Sequence, residues 1–229
     1  MDKVALKPTE SNAQYRSTYA TVALDLITEA VSLSKNVLKH LSKFGLNLAG
    51  LRLDGPTFAD VNLNFGIPQL GVSGQVRLDR LEINFWKLGE VGAEVANQIL
   101  LSCWTALHET EPNIELVTHH VSLNAFTQIQ DASYRQVIER YVSIPAALSE
   151  KVDAGVAFYL SADPSSGLQD LKLIVDRLIG QERSLLIKMN AQFDAKLVPV
   201  GKLAEQVNDC MIKHLDHLGL SLLQEGQQT

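Results

Sequence analysis

The strongest constraint in this chain is a stretch near its start in which apolar residues recur at helical spacing and then stop abruptly. Between Ser11 and Phe44 the apolar positions include Tyr15, Tyr19, Val22, Leu26, Leu33, Val37, Leu41 and Phe44. At ~100° per residue these fall in one arc, which Ala23, Ile27, Ala30, Val31 and Leu38 widen to roughly 200°. Thr21, Asp25, Thr28, Ser32, Lys35, Lys39 and Lys43 fill the remainder. Gly45 follows at once, where a residue tolerant of positive φ ends a helix, and Lys39 and Lys43 put cations where the helix dipole favours them. The pattern predicts one amphipathic helix over 11–44, about 50 Å long at 1.5 Å per residue.

After Gly45 the texture changes to short alternating stretches separated by turn residues. Segments 46–53, 61–67, 72–78 and 81–88 read as a β-meander, and 90–108 returns to helical spacing. A strand over 114–128, a short helix over 132–141, further strands over 154–161, 171–179 and 184–193, and a helix from Pro199 to Leu218 follow. Val91-Gly92-Ala93-Glu94-Val95-Ala96-Asn97 is echoed by Val200-Gly201 and, two residues on, Ala204-Glu205-Gln206-Val207-Asn208. The expected fold is therefore α+β, a long first helix ahead of two mostly antiparallel meanders each closed by a helix, and the echo admits a tandem duplication. The parts would be 1–45, 46–112 and 113–229, packed as one unit.

Composition narrows the function classes. Hydrophobic residues make up 46% and charged residues 20% of 229 positions, the balance of a folded globular protein. The net charge is -6 and the 20 Lys and Arg are scattered, so the clustered basic footprint of a nucleic-acid binder is missing. No apolar run approaches the ~18–20 residues of a membrane span, and the start lacks the pattern of a signal peptide, so a cytoplasmic location is expected. Cys103 and Cys210 are the only cysteines, which points to two reduced thiols and away from a disulfide framework.

Three constellations bear on chemistry. Cys210, His214 and His217 follow one another at i, i+4 and i+7, so a helix would bring them to one stripe as metal ligands, although His214 falls within the apolar arc of Leu203, Val207, Met211 and Leu218. In the alternating segment around His119 and His120, His119 shares the apolar face, while His120 shares the polar row of Thr118, Ser122 and Asn124 and is a candidate acid, base or ligand. Ser32-Leu33-Ser34-Lys35 matches Ser-x-x-Lys without companion motifs, and neither a Gly-x-Ser-x-Gly elbow nor a phosphate-cradling glycine loop is present.

These features favour a non-catalytic interaction protein with no cofactor. Its interaction face would be Tyr15, Tyr19, Val22, Leu26, Leu33 and Val37, because an arc wider than the ~100° one surface covers calls for a second partner, most economically another copy in a homodimer. The alternative is a small-molecule-binding protein or motif-less enzyme with a pocket between sheet and helix, lined from among Tyr15, Tyr19, Trp86, Trp104, Phe158 and Tyr159.

Overall fold

The computed structural model describes residues 3–55, 57, 60–144, 154–178 and 180–223. The chain opens not with a helix but with a sixteen-residue strand, β1 (Val4–Tyr19). The long first helix is thereby corrected: helical structure starts only with α1 (Asp25–Thr28) and α2 (Ala30–Leu41), which covers the later part of the expected span. The misreading has a simple cause. Tyr15 and Tyr19 are four residues apart, a spacing that puts two side chains on one face of a helix and equally on one face of a strand. What distinguishes the two is the intervening position, and Ser17 is buried together with Ala13, Tyr15 and Tyr19. Asn12, Gln14, Arg16 and Thr18 take the other face, an alternation of period two.

The stretches after Gly45 are strands, but they do not form two separate meanders. β2 (Leu51–Asp54), β3 (Asn62–Ile67), β4 (Val72–Val76) and β5 (Arg80–Phe85) lead into α3 (Leu88–Val91) and α4 (Ala93–Thr110). Then come β6 (Leu116–Ile129), α5 (Tyr134–Ile138), β7 (Val156–Leu160), β8 (Leu168–Arg177), β9 (Ser184–Asp194), α6 (Leu203–His217) and β10 (Leu220–Leu222). All ten strands join one sheet in the order β2-β3-β4-β5-β1-β6-β9-β8-β7, with β10 added beside the start of β1. Every pairing is antiparallel except β1 with β10.

The strand order reads alike outwards from the central pair. β1 is flanked by β5, β4 and β3, as β6 is by β9, β8 and β7. Ala13 lies opposite Phe85 just before α3 and α4, and His119 lies opposite Phe193 before α6. This two-fold arrangement puts the N-termini of α4 and α6 in corresponding places on one face of the sheet.

That face is the core. α4 packs between α2 and α6, and its Ala96, Ile99, Leu100, Cys103, Ala106 and Leu107 are buried. A break in register between Pro8 and Glu10 flips the alternation of β1, so that Val4 and Leu6 face inwards before it and Ala13 and Tyr15 after it. The proposed interaction face is spent here too. Tyr15, Tyr19, Leu26, Leu33 and Val37 are all buried within the chain, and only Val22, 58% exposed, remains at the surface. The wide arc had summed a strand whose inward side chains face the helices and a helix packed on that face, so most of it is core, with Val22 and Val31 exposed.

Candidate ligand site

The two faces of the sheet each carry a cavity, and the lining of each includes a residue with a buried polar atom that makes no hydrogen bond among the described residues, Arg16 Nε on one and Tyr15 Oη on the other. On the face opposite α2, α4 and α6, register aligns Asn64, Gln75, Glu82, Arg16, His120, Gln192 and Asp170 across neighbouring strands. His120 therefore stands in the polar row expected of it, beside an open depression of ≈ 250 Å³ that Gln14, Ser122 and Asn190 also line. Partial burial lowers the His120 pKa, and the nearby Arg16 guanidinium lowers it further, so the ring is neutral at pH 7. The neighbours satisfy one another. Ser122 Oγ donates to Asn190 Oδ1 at 2.9 Å, Asn124 Nδ2 to Asn12 Oδ1 at 2.8 Å, and His120 Nε2 lies 3.3 Å from Thr118 Oγ1. Arg16 pairs with Glu82 at 3.1 Å.

The other cavity, ≈ 200 Å³, lies between the sheet and the helices. Its apolar wall is Leu88, Leu123, Ala204 and Met211, and Ser11, Tyr15 and Asn208 supply the polar side chains. Gly89, Gly92 and Ala93 bring backbone to its edge. β1 contributes Tyr15 because the odd-numbered positions after the bulge face the helices. The ring packs edge-on against Phe85 at 5.6 Å, and its Oη is buried without a hydrogen-bond partner among the described residues. An orphaned buried hydroxyl costs roughly 1–3 kcal/mol. Burial drives its pKa well above the usual phenol range, so the hydroxyl keeps its proton and can donate it.

The start of α4 borders the cavity and is open to solvent at Gly92. Gly92 has φ +77°, and nothing lies within 4 Å of where a Cβ would stand. No side chain caps the helix, so N–H groups of its first turn lack the acceptor that capping side chains ordinarily provide. The corresponding end of α6 is treated differently. There the Ala204 N–H donates to the buried Asn97 Oδ1 of α4 at 2.7 Å. By the matching Ala-Glu-x-x-Asn segments, Asn208 of α6 is the counterpart of Asn97 and Ala93 that of Ala204. Ala93 and Asn208 both line the cavity, and the Asn208 side chain makes no hydrogen bond among the described residues.

The expected metal stripe does not assemble. Cys210 is buried, its thiol pushed up to about 11 by burial. His214 is half-buried, its pKa lowered chiefly by burial and then by Lys213 and His217. His217 is exposed, and the two rings meet edge to face at 5.9 Å. Among the described residues no three His, Cys, Asp or Glu side chains converge as a metal site, since Cys210 turns into the core while the histidines turn outwards. His119 is buried and fully engaged: Ser17 Oγ lies 2.7 Å from its Nδ1 and Val198 O 3.0 Å from its Nε2. The carbonyl can only accept, so Nε2 carries the proton and Nδ1 accepts from the Ser17 hydroxyl.

Of the aromatic residues considered for a pocket lining, Tyr15 alone lines this cavity. Sequence reasoning missed Ser11, Gly92, Ala93 and Asn208. The signal for two of them, Ala93 and Asn208, was the paired Ala-Glu-x-x-Asn segment, whose asparagines share a spacing but not a partner. No family model matches the chain, and no curated protein compared with it is similar in sequence.

Proposed function

We propose that the chain is a non-catalytic binding protein for a small organic molecule, held in the cavity between the β1–β6 centre of the sheet and the helices α4 and α6. The observation that carries this reading is a largely apolar space between sheet and helices, bordered by Tyr15 and by the start of α4, which no side chain caps. Ligand sites in general combine apolar walls with a few convergent polar groups. The volume suits a compact molecule, below the roughly 300–1,000 Å³ of pockets for drug-sized ligands.

The lining argues for binding without turnover. Tyr15 is its one ionisable side chain, held protonated by burial, and Ser11 has no histidine, lysine or carboxylate among the lining residues to activate it. The open depression beside His120 is a weaker candidate because it lies on the open face of the sheet and several of its polar side chains bond to one another, although Arg16 Nε there is also buried without a hydrogen bond beside its ion pair with Glu82.

The test is a ligand-observed NMR screen of compounds of about ten non-hydrogen atoms against the wild type and Met211→Trp, which fills the cavity. Hits are expected to bind the wild type saturably and to lose binding in the folded variant. Hits that bind both proteins equally, or a screen without hits, would overturn the reading.

A further inference from the structure

We infer that β7 is a self-recognition edge, which pairs antiparallel with β7 of a second copy of this chain and joins the two sheets into one. The comparison of the two ends of the sheet carries this. β2, at one end, has two charged residues among its four, and Arg52 and Asp54 pair with each other at 2.5 Å. β7, at the other end, reads Val-Ala-Phe-Tyr-Leu, without a charge or a proline. Charged side chains and proline are what keep exposed edges from pairing with other chains. Among the described residues β8 is the only strand that pairs with β7, so its outer edge has no ladder. The apolar layer also ends there half-covered. Leu171, Leu173 and Val175 of β8 are fully buried, whereas Leu160, Phe158 and Val156 opposite them are only half-buried.

The strand is its own complement, which selects a second copy as the partner. A two-fold axis through Phe158, perpendicular to the sheet, sets Phe158 opposite its copy, Val156 opposite Leu160 and Ala157 opposite Tyr159. Opposed residues of a ladder share a face. Apolar side chains therefore meet apolar ones on the helix side, continuing the half-covered layer across the axis. On the open face the small Ala157 meets Tyr159, which is 75% exposed and has Lys172 Nζ 5.1 Å from its ring centroid. Both halves are satisfied at once, as an isologous contact requires. A register shifted by one residue would instead set the helix face of one copy against the open face of the other. A pairing five residues long is small beside the roughly 1,200–2,000 Å² of standard interfaces, so the dimer is a dissociable one.

The experiment is sedimentation velocity of the full chain over a range of concentrations, with hydrogen exchange at both ends of that range. The wild type is expected to pass from monomer to dimer. Ala157→Lys with Tyr159→Lys sets like charges opposite each other across the axis and should weaken the dimer about tenfold or more. Ala157→Lys with Tyr159→Glu sets opposite charges in the same places and should dimerise about tenfold tighter than the first pair. Ala157 and Tyr159 are exposed, so both variants should melt like the wild type at concentrations where all are monomeric. Leu53→Lys on β2 should leave dimerisation unchanged. The β7 amides should exchange as fast as those of β2 in dilute protein and slow only as the dimer forms. A wild type that stays monomeric overturns the proposal: slow β7 amides would then mean that the chain itself covers the edge, and fast ones that the edge is left to a different partner. A dimer that the Lys pair leaves intact, or that both pairs weaken alike, overturns it as well.

Discussion

At the scale of single residues, burial decides which polar groups are engaged and which are kept in reserve. His119 is fully buried, and its pKa is lowered to about 4, first by burial. In the unfolded chain it titrates near 6.5, so between these values the unfolded state binds the extra proton and stability rises with pH. His119 should therefore contribute its full share above pH 6.5 and lose it progressively as the pH falls to 4, a change of about 3 kcal/mol at most. Urea midpoints measured across that range should show the slope, and His119→Gln should flatten it. Tyr15 behaves in the opposite sense. Its Oη has no partner to lose, so Tyr15→Phe should stabilise the unliganded protein by about 1 kcal/mol. That corresponds to a rise of roughly 2–4 °C in melting temperature for a chain of this size. A fall in calorimetry would show that the hydroxyl is engaged.

At the scale of elements, α2 illustrates how a real amphipathic stripe sits inside a misread longer one. Leu33, Val37 and Leu41 are spaced by four and buried, while Val31 is 70% exposed. Leu41→Ala should cost about 2–5 kcal/mol, the range for emptying a buried leucine site, and Val31→Ser less than about 0.5 kcal/mol. If Val31 belonged to an oligomer interface, denaturation of Val31→Ser would depend on protein concentration differently from wild type, and that comparison checks the point. β1 carries a different lesson. Its local pattern over Tyr15 to Tyr19 satisfies strand and helix alike. Strand won because β1 lies between β5 and β6 and is paired on both edges, with partners distant in the sequence, from Thr18 with Arg80 to Leu6 with Ile129. The start of α4 is likewise settled by its neighbours, since the helix lacks a side-chain cap and Asn208 across the cavity does not supply one.

At the scale of the whole molecule, one sheet spans both halves of the chain, and its centre holds them together. β1 and β6 pair from Leu6 with Ile129 to Tyr19 with Leu116, and each is paired again on its outer edge. The edge strands β2 and β7 are four and five residues long and paired on one side only. Hydrogen exchange should therefore be slowest in the central amides of β1 and β6 and fastest in β2 and β7. Comparable protection at edge and centre would mean that the halves do not depend on the shared pair. No helix among the described residues is long and apolar enough to cross a membrane.

Local chemistry by itself determined the alternating strands after Gly45, the helices around Ile99 and Val207, the burial of His119 and the placement of His120 on a polar face. Each follows from a side-chain period that backbone geometry imposes on any chain. Tertiary structure alone decided that residues 4–19 form a central strand, that the meanders merge into one sheet, and that most of the apolar arc is core. It also decided the cavity, because Ala93 and Asn208 become neighbours only when two distant helices land on one sheet face. A spacing of four residues fits either a strand or a helix, and only the partners that cover each face choose between them.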